Sequence, residues 1–150
     1  MLIAIYSALV LVGLYFFYQR GNAVKADPAL NKKDVAELEM IYQKVLGRLQ
    51  DEKYYLNKNV KLSDLADEIG IKERQVSRSI NTFEKRNFNS LVNLYRIRHA
   101  QEMIDSGEFS HYTIEAIADE SGFSNKVSFY NSFKSEVGMS PSQYRALKQP

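Results

Sequence analysis

One pattern occurs twice in this chain, and the repetition limits the fold more than any other feature. Leu62, Leu65, Ala66 and Gly70 recur as Ile114, Ile117, Ala118 and Gly122, 52 residues later. With one further residue in the later turn, Val76 and Ile80 recur as Phe129 and Phe133. Chance rarely reproduces a small residue, a turn glycine and a spaced apolar pair together, so the chain is read as a duplicated structural unit. Each copy has a short apolar helix, a glycine able to take positive φ, and a second helix with an apolar stripe. The alanine lets the two helices approach closely. Two short helices across a glycine turn make a helix-turn-helix, whose second helix can lie in a DNA major groove.

The later copy, Gly122 to Arg145, reads GFSNKVSFYNSFKSEVGMSPSQYR. Ser124 is the expected cap of its second helix, with Val127, Phe129, Tyr130 and Phe133 as the apolar stripe. Ser140 is expected to cap a last helix with Pro141 at its first position, where a missing N–H costs nothing. Between the copies, Ser90 to about Asp105 is expected to be helical, with Leu91, Leu94, Ile97, Ala100, Met103 and Ile104 on one face. At about 24 Å, such a helix suits two reading helices held about one DNA turn apart. Arg96 and Arg98 flank it as bridges to its neighbours.

Upstream, residues 2–18, LIAIYSALVLVGLYFFY, carry no charge. At about 1.5 Å per residue they extend roughly 25 Å, the lower limit for a bilayer core. The aromatic end, Tyr15 to Tyr18, followed on one side by Arg20, Lys25, Lys32 and Lys33, suits a transmembrane helix with the remainder of the chain in the cytoplasm. A signal peptide would call for a basic start and a small-residue cleavage site, and a core helix would leave an all-round apolar surface to cover. Such a run near Met1 also suits the last span of a longer membrane protein. Residues 19–33 read as a polar linker. Residues 34–52 read as an amphipathic helix through Val35, Leu38, Ile41, Tyr42, Val45, Leu46 and Leu49. Its stripe leaves two uses open: packing against the following domain, or a short coiled-coil homodimer through residues 35–49, since Val35, Leu38, Tyr42, Val45 and Leu49 fit heptad positions.

At 150 residues the chain holds one compact domain and an appendage, too little for a large catalytic fold. The absence of cysteine excludes disulfides, zinc ribbons and thiol nucleophiles. A net charge of +2 demands no polyanionic partner, so any nucleic-acid footprint must come from local charge placement. His99 and His111 lack a nucleophile or metal-ligand partner at useful spacing, so no enzyme, metal or cofactor is expected.

Residues from about Leu62 to Arg145 resemble the paired helix-turn-helix DNA-binding domain of the AraC/XylS transcription regulators. The segment GFSNKVSFYNSFKSEVGMSPSQYR carries the closest match, joined by LSDLADEIGIKERQVSR and YRIRHAQEMI. Asn81 and Asn87 depart from that family's pattern, which usually has an aromatic-led pair with lysine at the first and glycine in the loop at the second. The apolar segment in place of a cupin-like effector domain looks like the membrane-bound branch. The resemblance implies an all-α fold: two helix-turn-helix subdomains joined by a long linking helix in residues 53–150, preceded here by the transmembrane helix. It implies a bacterial, inner-membrane transcription regulator whose partners are double-stranded promoter DNA and RNA polymerase. A membrane signalling or scaffolding protein whose helical domain binds a protein partner is the alternative.

On the first reading helix, Arg74, Gln75, Ser77 and Arg78 lie off the buried Val76 and Ile80 face and are the candidates for base contact. Arginine bonds guanine bidentately and glutamine bonds adenine. Lys126, Val127, Ser128 and Asn131 are the outward positions of the second helix. That set is less polar and is expected to position more than to discriminate. Lys72, Lys85, Arg86 and Lys134 are the candidate phosphate contacts.

Overall fold

The computed structural model describes residues 31–148. Among these, seven α-helices and one 3-10 turn are present: α1 Lys32–Gln50, the turn Tyr54–Leu56, α2 Leu62–Glu68, α3 Glu73–Glu84, α4 Phe88–Ser106, α5 Ile114–Glu120, α6 Lys126–Val137 and α7 Pro141–Lys148. The expected transmembrane helix, residues 2–18, and residues 19–30 of the expected linker lie outside the described residues. Among the described residues no helix is long and apolar enough to cross a membrane.

The duplication extends to individual hydrogen bonds. At the end of α2, the Gly70 amide donates to Asp67 O (3.1 Å) and the Ile71 amide to Ala66 O (2.9 Å). At the end of α5, the Gly122 amide donates to Asp119 O (3.0 Å) and the Phe123 amide to Ala118 O (3.1 Å). These bonds satisfy the last helical carbonyls, and they require the glycine between them to take positive φ, +67° at Gly70 and +87° at Gly122. Val76 and Ile80 of α3, and Phe129 and Phe133 of α6, are all fully buried. Val127 is not part of that stripe: it is 69% exposed, because it lies at the outward first turn of α6.

Two apolar cores result. The first gathers Ile41, Val45 and Leu49 of α1 with Leu65, Ala66, Val76, Ile80, Leu91 and Val92. The second gathers Ile97, Ala100, Met103 and Ile104 with Ile114, Ile117, Ala118, Phe123, Phe129 and Phe133. Helix α4 belongs to both, passing from one to the other between Val92 and Ile97. For that reason it lacks the single apolar face expected of it; Phe88 and Val92 are buried too, while Leu94 is half-buried. It begins at Phe88, where the Asn87 side chain accepts the Ser90 amide at 2.9 Å. Asn87 is thus a helix cap with ordinary extended φ, and the left-handed residue of that loop is Lys85 (φ 55°).

Helix α1 begins at Lys32 rather than Asp34, with the Asn31 side chain accepting the Asp34 amide at 2.9 Å, and ends at Gln50. It is a member of the first core rather than a separate appendage. Leu38, Ile41, Tyr42, Val45 and Leu49 are all buried, and the Tyr42 ring stacks on Phe83 of α3 at 5.2 Å while its hydroxyl donates to Glu84. The face considered for a homodimer through residues 35–49 is therefore covered by the chain itself. A stripe broadened by Ile41 wraps a globular surface better than a two-helix seam.

The seam between the cores is mainly polar. Lys58 pairs with Asp119, Arg86 of the α3–α4 loop pairs with Glu136 of α6, and Asn93 Nδ2 donates to Ser132 Oγ at 3.3 Å. Arg96 is buried at the centre. Its Nε donates to Tyr55 O (2.7 Å), Nη2 to Asn57 O (2.9 Å) and Nη1 to Asn93 Oδ1 (3.3 Å), and its guanidinium lies 5.5 Å from the Phe123 ring centroid. Burial without a carboxylate partner holds its pKa below the usual arginine value.

Candidate nucleic-acid interface

Helices α3 and α6 have the same length and register, so Glu73 corresponds to Lys126, Arg74 to Val127, Gln75 to Ser128 and Arg78 to Asn131. In α3 the burial of Val76, Ser79 and Ile80 turns Arg74, Ser77 and Arg78 outward. All three are exposed, and neither arginine head group is engaged by another described residue. Arg74 and Arg78 are four residues apart and so share one helix face.

Gln75 differs. It is half-buried on the flank toward α1, and its Nε2 donates to Glu37 Oε1 at 3.2 Å. The amide is held beside the outward face rather than on it. Glu37 went unnoticed in the sequence because it is 38 residues away on a helix whose placement the periodicity left open.

In α6, Val127, Ser128 and Asn131 are exposed. The helix is capped by Asn125, whose side chain accepts the Ser128 amide at 2.8 Å, and not by the neighbouring Ser124. Lys126 is drawn back onto its own lobe. It pairs with Glu115 at the start of α5 and lies 5.6 Å from the Tyr130 ring. That bond lowers the Glu115 pKa and raises that of Lys126.

The four candidate phosphate contacts divide. Lys72 directly precedes α3, Lys85 directly follows it, and Lys134 stands in the last turn of α6. All three are exposed, and their ammonium groups have no partner among the described residues. Arg86 is instead committed to Glu136, half-buried, with its pKa raised chiefly by that hydrogen bond. The structure thus brings α3 and α6 into equivalent settings, leaves Arg74, Arg78 and three lysines available, and diverts Gln75, Lys126 and Arg86 to intramolecular partners. His99 packs near the Tyr55 ring at 5.9 Å, and His111 lies edge-on to Tyr112.

A family model described as a helix-turn-helix domain matches residues 65–147, more than half of the chain. The chain belongs to this family. Its helix-turn-helix domain is similar to solved structures that include the C-terminal domain of AraT, a response regulator from Geobacillus stearothermophilus. That match has 25% identity and a TM-score of 0.61, and covers 71% of this chain and 86% of the other. A protein of unknown function from Listeria innocua shares the fold, with 23% identity and a TM-score of 0.62 over 72% of this chain and 97% of the other. The DNA-binding domain of AdpA, a global transcriptional factor solved in complex with a target DNA, has 20% identity and a TM-score of 0.60. That alignment covers 71% of this chain and 90% of the AdpA domain. Among curated proteins, the uncharacterized HTH-type transcriptional regulators SACOL0084 and SA0097 of Staphylococcus aureus are 30% identical over 91 residues, 61% of this chain. The chain spans 12% of the length of these relatives. The family shown is thus that of the helix-turn-helix domain, and the curated proteins similar to it are HTH-type transcriptional regulators.

Proposed function

We propose that this chain is a membrane-anchored, sequence-specific transcription regulator that reads two successive major grooves of promoter DNA with α3 and α6. The observation that carries the reading is the pairing of equivalent helices whose inner faces are fully buried and whose outer faces offer Arg74 and Arg78 on one, Val127 and Asn131 on the other. Arg74 and Arg78 are the principal base contacts, bonding guanine O6 and N7, while Asn131 reads adenine and Val127 meets a thymine methyl. Ser77 and Ser128 are minor contacts, and Gln75 and Lys126 support the interface from its edges. Lys72, Lys85 and Lys134 bind phosphates, with Arg86 contributing less because of Glu136.

A single chain supplies both reading helices, so two adjacent grooves are reached without a dimer. The anchor rests on the uncharged run 2–18 and the basic residues that follow it. It would confine the search to DNA near the inner membrane. Contact with RNA polymerase rests on the resemblance to the AraC/XylS regulators.

The test uses the full chain in detergent and measures fluorescence anisotropy with genomic fragments at two salt concentrations. A sequence preference that Arg74→Ala with Arg78→Ala abolishes is the expected result. Equal affinity for all fragments, or a double variant that binds as the parent does, rejects the proposal. Extraction of membranes with alkaline carbonate tests the anchor separately: release of the chain into the soluble fraction rejects it.

A further inference from the structure

Arg96 is surrounded by features that belong to different lobes. Tyr55, whose carbonyl it binds, packs in the first core, and Phe123, over which it lies, packs in the second. Asn93 accepts from Arg96 Nη1 and, through Nδ2, donates to Ser132 on α6. Gly122 closes the same seam from the other side: a Cβ there would stand 2.7 Å from Tyr55 O and 2.9 Å from Leu56 Cα. The turn Tyr54–Leu56 is therefore gripped between an arginine on α4 and the glycine turn of the second motif.

We propose that Arg96 is a positioning residue that sets which half-site spacing the two motifs can occupy together. This inference rests on the DNA-binding reading above. The remaining charged contacts across the seam are single ion pairs on long side chains, Lys58–Asp119 exposed and stabilising little, Arg86–Glu136 half-buried, and both tolerate rearrangement better than a three-bond fork. The Arg96 hydrogen bonds to Tyr55 O and Asn57 O are buried and directional and fix α4 to the turn of the first lobe, while the second lobe is reached through the Phe123 ring and through Asn93, which bonds Ser132. Inserting one base pair between half-sites moves the second groove by about 3.4 Å along the axis and about 34° around it. A seam locked by Arg96 cannot follow that displacement, whereas one left with the two ion pairs, the Asn93–Ser132 bond and the Gly122 contact yields further.

The experiment measures affinity of the full chain for its preferred site and for versions with one base pair inserted or removed between half-sites. The parent chain is expected to lose at least about tenfold on either change, the equivalent of one mismatched pair. Arg96→Lys, which keeps the charge and loses the fork, is expected to lose about threefold or less relative to its own best site. Asn93→Ala is the second variant, at a half-buried position where truncation is expected to leave the fold intact, and is expected to shift the penalty in the same direction. The chain has no cysteine, so spin labels at Asn81→Cys and Ser135→Cys, both exposed, report the α3–α6 distance without DNA. Arg96→Lys, or Asn93→Ala should the lysine variant not fold, is expected to broaden that distance distribution. A folded variant with the parent's spacing penalty and the parent's label distances overturns the proposal. A parent chain that shows no sequence preference refutes the DNA-binding reading instead, and the label distances still decide whether Arg96 locks the seam.

Discussion

The two turn glycines occupy equivalent places in the repeat, yet alanine should be tolerated at one and not at the other. Both hold positive φ, so alanine at either costs about 1–2 kcal/mol in backbone strain, offset by about 0.4–1 kcal/mol from the stiffer unfolded chain. At Gly70 nothing lies within 4 Å of an added Cβ, so the net cost of Gly70→Ala is about 1 kcal/mol. At Gly122 the new methyl would meet Tyr55 O at 2.7 Å, Leu56 Cα at 2.9 Å and Leu56 O at 3.0 Å. These are backbone atoms with no rotamer to change, and Tyr55 O is also the acceptor for Arg96 Nε. Overpacking of this kind costs about 1–3 kcal/mol, and loss of a hydrogen bond to a charged group about 1.5–3 kcal/mol. Because moving the turn relieves one by giving up the other, Gly122→Ala is expected to lose about 2–4 kcal/mol in total. Urea unfolding of the full chain, followed by far-ultraviolet circular dichroism with midpoints compared at a common slope, measures both variants. Losses that agree within about 0.5 kcal/mol, the scatter of a surface substitution, would refute the claim that the second turn is wedged against Tyr55 and Leu56.

Phe129→Ala should cost about 3–5 kcal/mol of stability because the ring is fully buried, whereas Val127→Ala should change it by less than about 0.5 kcal/mol; thermal unfolding separates the two. Arg74→Ala and Arg78→Ala should each lose about 1–3 kcal/mol of discrimination between preferred and mutated sites, with no change in unfolding midpoint, as competition binding would show. Lys85→Gly should gain about 1 kcal/mol of stability by relieving the left-handed backbone, and should reduce the slope of log affinity against log salt by about one if that lysine meets a phosphate.

The repeated unit was legible in the sequence because it is written in local spacing. Ala66 and Ala118, Gly70 and Gly122, and the pairs Val76/Ile80 and Phe129/Phe133 are fixed by neighbours a few residues away, and they take up the expected positions. The location of α1 was not legible to the same degree. A stripe of Leu38, Tyr42, Val45 and Leu49 looks alike whether its partner is α3 of the same chain or another copy. Arg96 was harder still: it was expected to bridge its helix to neighbouring elements, but a charge among apolar residues gives no sign that three acceptors lie in a turn some 40 residues earlier and on its own helix. Separations of 38 and 50 residues hid Glu37 from Gln75 and Glu136 from Arg86, so two candidate contacts carried partners that only folding reveals. Choosing Ser124 over Asn125 as a cap failed for a simpler reason: both residues can cap, and the choice depends on where the turn releases the chain.

Helix α4 also bears on how the chain melts. Its N-terminal half is buried in the first lobe and its C-terminal half in the second. If either lobe unfolds, the part of α4 that remains docked is about ten residues long or less, and the undocked half is too short to persist as a helix in water. Its loss leaves the docked half with a frayed end at the edge of the surviving lobe, so disorder passes along the peptide backbone. The lobes are thereby expected to exchange their most protected amides together, with the hydrogens around Asn93 to Ile97 reporting the event for both.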